Sequence, residues 1–148
     1  PQATPVRPKT PEPAKPYHIF RAKSGLQIWV GKSAKENDQL SFHYADGNDW
    51  WLHAHDYPGS HVVVRGANGQ ELDSETLHDA AELALRYSKA KDQSAGEVSL
   101  TQVKGLRSVK GCPGKVMLSK YRVVRISLDK TRWERLKESR QSSSSLNR

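Results

Sequence analysis

The stretch Asp49-Trp50-Trp51-Leu52-His53-Ala54-His55-Asp56-Tyr57-Pro58-Gly59-Ser60-His61-Val62-Val63-Val64-Arg65 decides how this chain folds. Trp50 to His55 reads as a strand, and side chains alternate faces along a strand. Trp50, Leu52 and Ala54 then share a core face, while Trp51, His53 and His55 share the other and are expected to be exposed. Tyr57-Pro58-Gly59-Ser60 fits a type II turn, with Pro at the second position and Gly supplying positive φ at the third. His61 to Arg65 is the returning strand, rich in valine and suited to burial. The resulting hairpin offers Trp51, His53, His55, Gly59, Ser60, His61 and Arg65 as candidate ligand contacts. Stacking and hydrogen bonding to a polar, planar or anionic ligand suit that mixture.

Composition limits what the ligand can be. The chain has 148 residues, enough for one domain with a proper core, and carries a formal net charge of +8. Such basicity favours nucleic acid, an acidic membrane surface or an acidic protein as partner. No stretch has transmembrane length and no signal peptide is visible, so no membrane role is expected. The single cysteine, Cys112, rules out an intrachain disulfide framework and fits a reducing, cytoplasmic setting. The first residue is Pro1 rather than Met, which leaves open a trimmed initiator or a piece of a longer chain with a further N-terminal domain.

Outward from the hairpin, residues 1–16 read as a proline-rich linker. Tyr17 to Arg21 and Leu26 to Gly31 read as a hairpin turning at Ser24-Gly25. Gly31 to Asp38 reads as a polar loop. It contains Gly-Lys-Ser but lacks the earlier glycine of a phosphate-binding loop, which argues against nucleotide hydrolysis. Lys32 sits at that loop and can reach a phosphate. Leu40 to Tyr44 reads as a strand, and Gly66-Ala67-Asn68-Gly69 as a turn. Ser74 to Lys91 is the one main helix. Ser74 is its expected cap, and Leu77, Ala80, Ala81, Ala84, Leu85 and Ser88 form a small-residue stripe that would pack on a sheet. Glu97 to Val103 is a strand. Val116 to Ser119 and Arg122 to Leu128 form an expected final hairpin. Residues 130–148 read as a basic tail, opening with a possible short helix and ending in the serine run Ser142 to Ser145. The fold class that follows is α+β, a mostly antiparallel β-sheet with one main packed α-helix and flexible ends.

A second signal lies late in the chain. From Val98 to Leu128 there is no acidic residue, while Lys104, Arg107, Lys110, Lys115, Lys120, Arg122 and Arg125 are cationic. A charge run is commonly a solvated face, but the absence of acids over three elements argues for an anionic partner. Contacts of this kind to phosphates give affinity and strong salt dependence without reading sequence.

Taken in order, Gly31-Lys32 with Asn37-Asp38, Asp49-Trp50-Trp51-Leu52-His53, Asp56-Tyr57-Pro58-Gly59-Ser60-His61-Val62-Val63, Ala80-Ala81-Glu82-Leu83-Ala84 with Ser88-Lys89, and Pro113-Gly114-Lys115-Val116 resemble the RNA-binding domain of NFACT proteins. The resemblance spans residues 17–129. It implies the C-terminal domain of factors that bind tRNA and the large ribosomal subunit, with its rRNA, in ribosome-associated quality control. Full-length members also carry an N-terminal domain, helix-hairpin-helix motifs and a coiled coil, and this chain matches only the last domain. Some bacterial members are described as fibronectin-binding adhesins.

Three functional readings result. The leading one is a non-catalytic RNA-binding module, without cofactor or metal, using Lys32, the hairpin candidates and Lys104, Arg107, Lys110, Lys115, Lys120 and Arg122. In it, Trp51 stacks on an unpaired base, Gly59 and Ser60 offer backbone N–H groups to a phosphate, and His53 bonds a phosphate or base. The second is a His-based metal-dependent nuclease or hydrolase using His53, His55 and His61. The third is a protein-interaction, adhesin-like module.

Overall fold

A computed structural model describes residues 14–141, so most of the proline-rich stretch and the serine run lie outside the described residues. The chain is α+β, built on a fully antiparallel six-stranded sheet. β1 (Tyr17–Arg21) and β2 (Gln27–Gly31) form the expected hairpin. Its turn needs Gly25 for conformation, since that residue sits at φ +98 with open space around it. β3 (Trp50–Ala54) and β4 (Val62–Val64) form the second hairpin. With β5 (Ala95–Gln102) and β8 (Arg122–Ser127), the strand order is β1-β2-β4-β3-β5-β8.

Two sequence expectations fail between β2 and β3. The polar loop is partly helical: α1 (Ala34–Gln39) starts at Ser33, whose Oγ accepts the Glu36 amide. Leu40–Tyr44 is a π-helical turn rather than a strand, and it delivers Leu40 and Ser41 inward. Late in the chain, the expected final hairpin is split. β7 (Val116–Leu118) pairs with β6 (Leu106–Ser108) in a separate two-stranded ribbon, while β8 joins the main sheet beside β5.

Both faces of the sheet are covered. On one face, α2 (Ser74–Arg86) and α3 (Lys130–Ser139) pack over Phe20, Ile28, Val30, Leu52, Ala54, Val62, Val64, Val98 and Leu100. The stripe expected on α2 does this work, with Ala80, Ala81 and Ala84 fully buried and Leu85 nearly so. Close approach matters here, because a Cβ on Gly96 would stand 2.8 Å from Leu85. The cap of α2 is Asp73, one residue earlier than expected, through a bond from the Thr76 amide. On the other face, Tyr17, Leu40, Trp51, Val63, Val103 and Leu106 form a second core under the π turn and the ribbon.

The tail contributes α3 to the same body, with Leu136 fully buried. Two buried α2 carboxylates hold it there. Asp79 accepts from Arg132, from Arg135 at 2.7 Å and from the Lys23 amide at 2.9 Å. Burial pushes its carboxyl up, but bonds from Arg135, Lys23 and Arg132 together hold it below the usual range. Glu82 accepts from Arg86 at 2.9 Å and from the Asp129 amide at 3.1 Å.

Candidate nucleic-acid interface

On the ribbon side of the sheet lies an open groove of about 1560 Å³. Its walls come from the start of α1, the β3–β4 turn, the loop after α2 and the tip of the ribbon. It gathers His53, His55, Gly59, Ser60, His61 and Lys115 from the expected contacts, with Trp51 at its floor.

The alternation along β3 is as read, yet the face carrying Trp51 is not exposed. Trp51 is 2% exposed and belongs to the second core. Its ring stacks on His53 at 5.7 Å and 8°, meets His61 edge-on at 5.1 Å, and donates from Nε1 to Ser41 Oγ at 3.2 Å. It therefore has no free face for a base. The second layer formed by the π turn and ribbon is what closes it off.

The histidines are largely engaged in structure. His61 is 1% exposed; its Nδ1 bonds Ser41 Oγ at 2.8 Å and its Nε2 donates to the Gly114 carbonyl at 2.9 Å. That second bond ties the ribbon tip to β4. Burial lowers the His61 imidazole to about 4, so it is neutral at pH 7. Burial also lowers His53, whose Nδ1 bonds the Ala54 carbonyl at 2.7 Å. His55 is half-buried, held by Ser99 Oγ at 2.9 Å and lying 3.4 Å from Asp56. Among the described residues, no group of three or more His, Cys, Asp or Glu is placed to hold a metal ion.

The Tyr57–Ser60 turn differs from the expected type. Positive φ falls on Asp56, not on Gly59. Gly59 serves close approach instead, because a Cβ there would meet Ser88 Cβ at 2.7 Å. The Ser60 amide donates to the Tyr87 carbonyl at 3.0 Å and is not free for a phosphate. Arg65 is likewise committed elsewhere, 2.8 Å from buried Asp49 and over the Trp29 ring at 4.2 Å.

The cations of the acid-free stretch divide. Lys115 lies on the rim of the large groove. Lys104, Lys120 and Arg122 line a smaller hollow of about 410 Å³. Arg107 and Lys110 are exposed on β6 and the ribbon loop and line neither, and half-buried Lys32 also lies outside both. Among the described residues, only Arg122 of the seven has a carboxylate partner, Glu71 at 3.2 Å.

Sequence reading missed Tyr121, which lines both hollows, along with Met117 on the ribbon and Lys89 and Lys91 after α2. Tyr121 had a signal: an aromatic between Lys120 and Arg122, the interleaving that single-strand binding uses.

The chain is thus a basic α+β domain whose sheet is covered on both faces and whose open groove lies between the hairpin turn and the ribbon. A family model described as the NFACT protein RNA binding domain matches residues 16–120, and the chain belongs to that family. It is 37% identical over 121 residues to the Rqc2 homolog RqcH of Bacillus subtilis, covering 81% of this chain and 21% of that protein. It is 26% identical over 76 residues to the ribosome quality control complex subunit NEMF homolog of Drosophila melanogaster, covering 51% of this chain and 8% of that protein. The chain thus spans about a fifth or less of the length of these relatives. A solved structure, the C-terminal part of the fibronectin/fibrinogen-binding protein from Streptococcus suis, superposes with a TM-score of 0.78 at 29% identity, covering 90% of this chain and 53% of that one. Among the described residues, no helix is long and apolar enough to cross a membrane.

Proposed function

We propose that this domain is a non-catalytic module that binds tRNA or rRNA in ribosome-associated quality control. The observation that carries the reading is the acid-free stretch from Val98, within β5, to Leu128, just after β8. Lys104, Arg107, Lys110, Lys115, Lys120 and Arg125 are exposed there and, among the described residues, lack a carboxylate partner. Unneutralised cations, with Lys115 at the rim of the large groove, Lys104 and Lys120 at the smaller hollow and the others on the surface nearby in sequence, attract a polyanion, and their contacts to phosphate need no sequence readout. The engaged histidines supply scaffold to the groove rather than a set of convergent bases. Family membership and the quality-control names of the relatives point the same way.

The test is binding of the purified chain to labelled tRNA and rRNA hairpins over a salt series. Affinity should fall steeply with salt. Each lost phosphate contact removes roughly 0.7–0.9 from the log–log slope. Charge reversal at Lys104, Arg107 and Lys110 together should therefore flatten the slope by roughly 2–3 and weaken binding, with the melting curve unchanged. Wild-type affinity and slope in that variant would remove the acid-free stretch from the interface.

A further inference from the structure

Tyr121 stands where the two hollows meet, and it lines both. It is 49% exposed, an aromatic left in solvent, with exposed Met117 and Tyr57 lining the same large groove. The backbone beneath it is fixed, since the Thr101 hydroxyl donates to the Lys120 carbonyl next to it. On one side the ring faces His55, at 6.3 Å between centroids and 36° between planes. His55 is itself braced by Ser99. Lys104, Lys120 and Arg122 share the smaller hollow with Tyr121, a hollow that His55 does not line. Among the described residues, the Lys104 ammonium reaches only the Asn48 side-chain oxygen, at 3.1 Å. Arg122 reaches exposed Glu71, a surface pair that a phosphate displaces at little cost.

An aromatic face with cations to one side and hydrogen-bonding groups to the other matches the repeat of a single strand, phosphate followed by base. A paired base is stacked in its helix and cannot use such a face; an unpaired one in a loop, bulge or end can. Building on the RNA-binding reading above, we propose that Tyr121 is a base-stacking platform for an unpaired nucleotide. The base lies on the solvent-exposed side of the tyrosine ring, beside the large groove, and the adjoining phosphates are held by Lys104, Lys120 and Arg122. The platform takes the place that Trp51, sealed in the second core, does not fill.

The experiment compares a short single-stranded oligoribonucleotide containing several 2-aminopurines with a blunt duplex of the same length, using anisotropy and 2-aminopurine emission. Wild type should favour the single strand and quench its emission. Tyr121→Ala should weaken single-strand binding by roughly five- to 150-fold, the range for one lost base stack, and abolish the quench. Duplex affinity should stay the same, and Tyr121→Phe should restore both readouts. A melting curve checks that the variants fold. Tyr121→Ala binding the single strand as wild type does, or losing single strand and duplex equally, overturns the platform while leaving the broader RNA reading in place. Wild type binding neither RNA overturns both.

Discussion

Replacing Trp51 with alanine separates a core tryptophan from a ligand platform. The side chain is 2% exposed and packs among Tyr17, Leu40, Val63, Val103 and Leu106. It also stacks on His53 and donates to Ser41 Oγ. Truncating a buried tryptophan to alanine costs ~3–5 kcal/mol from lost transfer energy and the void left behind. Small domains hold only ~5–15 kcal/mol in total, so the variant should be marginal. In a domain of this size the loss corresponds to a drop of roughly 10–25 °C in melting temperature. Urea titration followed by circular dichroism measures it, in parallel with RNA binding at a temperature where the variant is folded. RNA affinity per folded molecule should be close to wild type. Trp51→Phe, which leaves a smaller void but loses the bond to Ser41, should cost roughly 1–2 kcal/mol. A Trp51→Ala variant melting within a few degrees of wild type while losing RNA binding would refute the placement of this ring in the core.

Acidification should destabilise the fold through His61. Its folded value of about 4 lies below the ordinary histidine value, so the unfolded chain binds more protons between roughly pH 4 and 6.5. Stability contributed by keeping it neutral is therefore complete above pH 6.5 and is lost as pH falls toward 4, by on the order of 3 kcal/mol. His53, also lowered by burial, adds in the same direction. Glu82 and Asp49, raised by burial, act oppositely at the acid end, so the clean measurement is the difference in unfolding free energy between wild type and His61→Gln across pH. A pH-independent difference would contradict the buried neutral imidazole. Asp79→Ala should cost ~3–5 kcal/mol by leaving Arg132 and Arg135 without their buried partner, and hydrogen exchange should show α3 opening first. Equal protection of α3 in variant and wild type would count against that clamp. Gly59→Ala should destabilise by more than a typical surface change, because its Cβ would press on the Ser88 backbone at 3.0 Å; a neutral result in thermal melting would show that the bridge yields.

Local chemistry was legible in the sequence wherever the deciding forces are local. The β1–β2 hairpin, its turn at Gly25, the β3–β4 pairing and the alanine stripe of α2 all follow from period-two alternation, positive-φ glycine and small-residue spacing. Ser33-x-x-Glu36 is a helix-start signal lying inside the polar stretch, and it is what begins α1 there. Leu40–Tyr44 alternates like a strand, yet its neighbours pull it into a π turn so that Leu40 and Ser41 both reach the second core.

The basic character of this domain, its sheet-and-helix class, its family and two of the four segments that wall its groove, the hairpin turn and the glycine-rich basic stretch, are written in the sequence. Only the tertiary structure decided which side chains face that groove. Alternation says that Trp51 and Leu52 point to opposite faces; it cannot say that both faces are covered, because the cover over Trp51 comes from outside the strand, from the turn at residues 40–44 and from residues 103–118, the latter far away in the chain. The same contacts bury His61 under Gly114 and bring Tyr121 to the meeting of the two hollows. Burial is a property of the assembled layers, and a single strand's periodicity does not contain it.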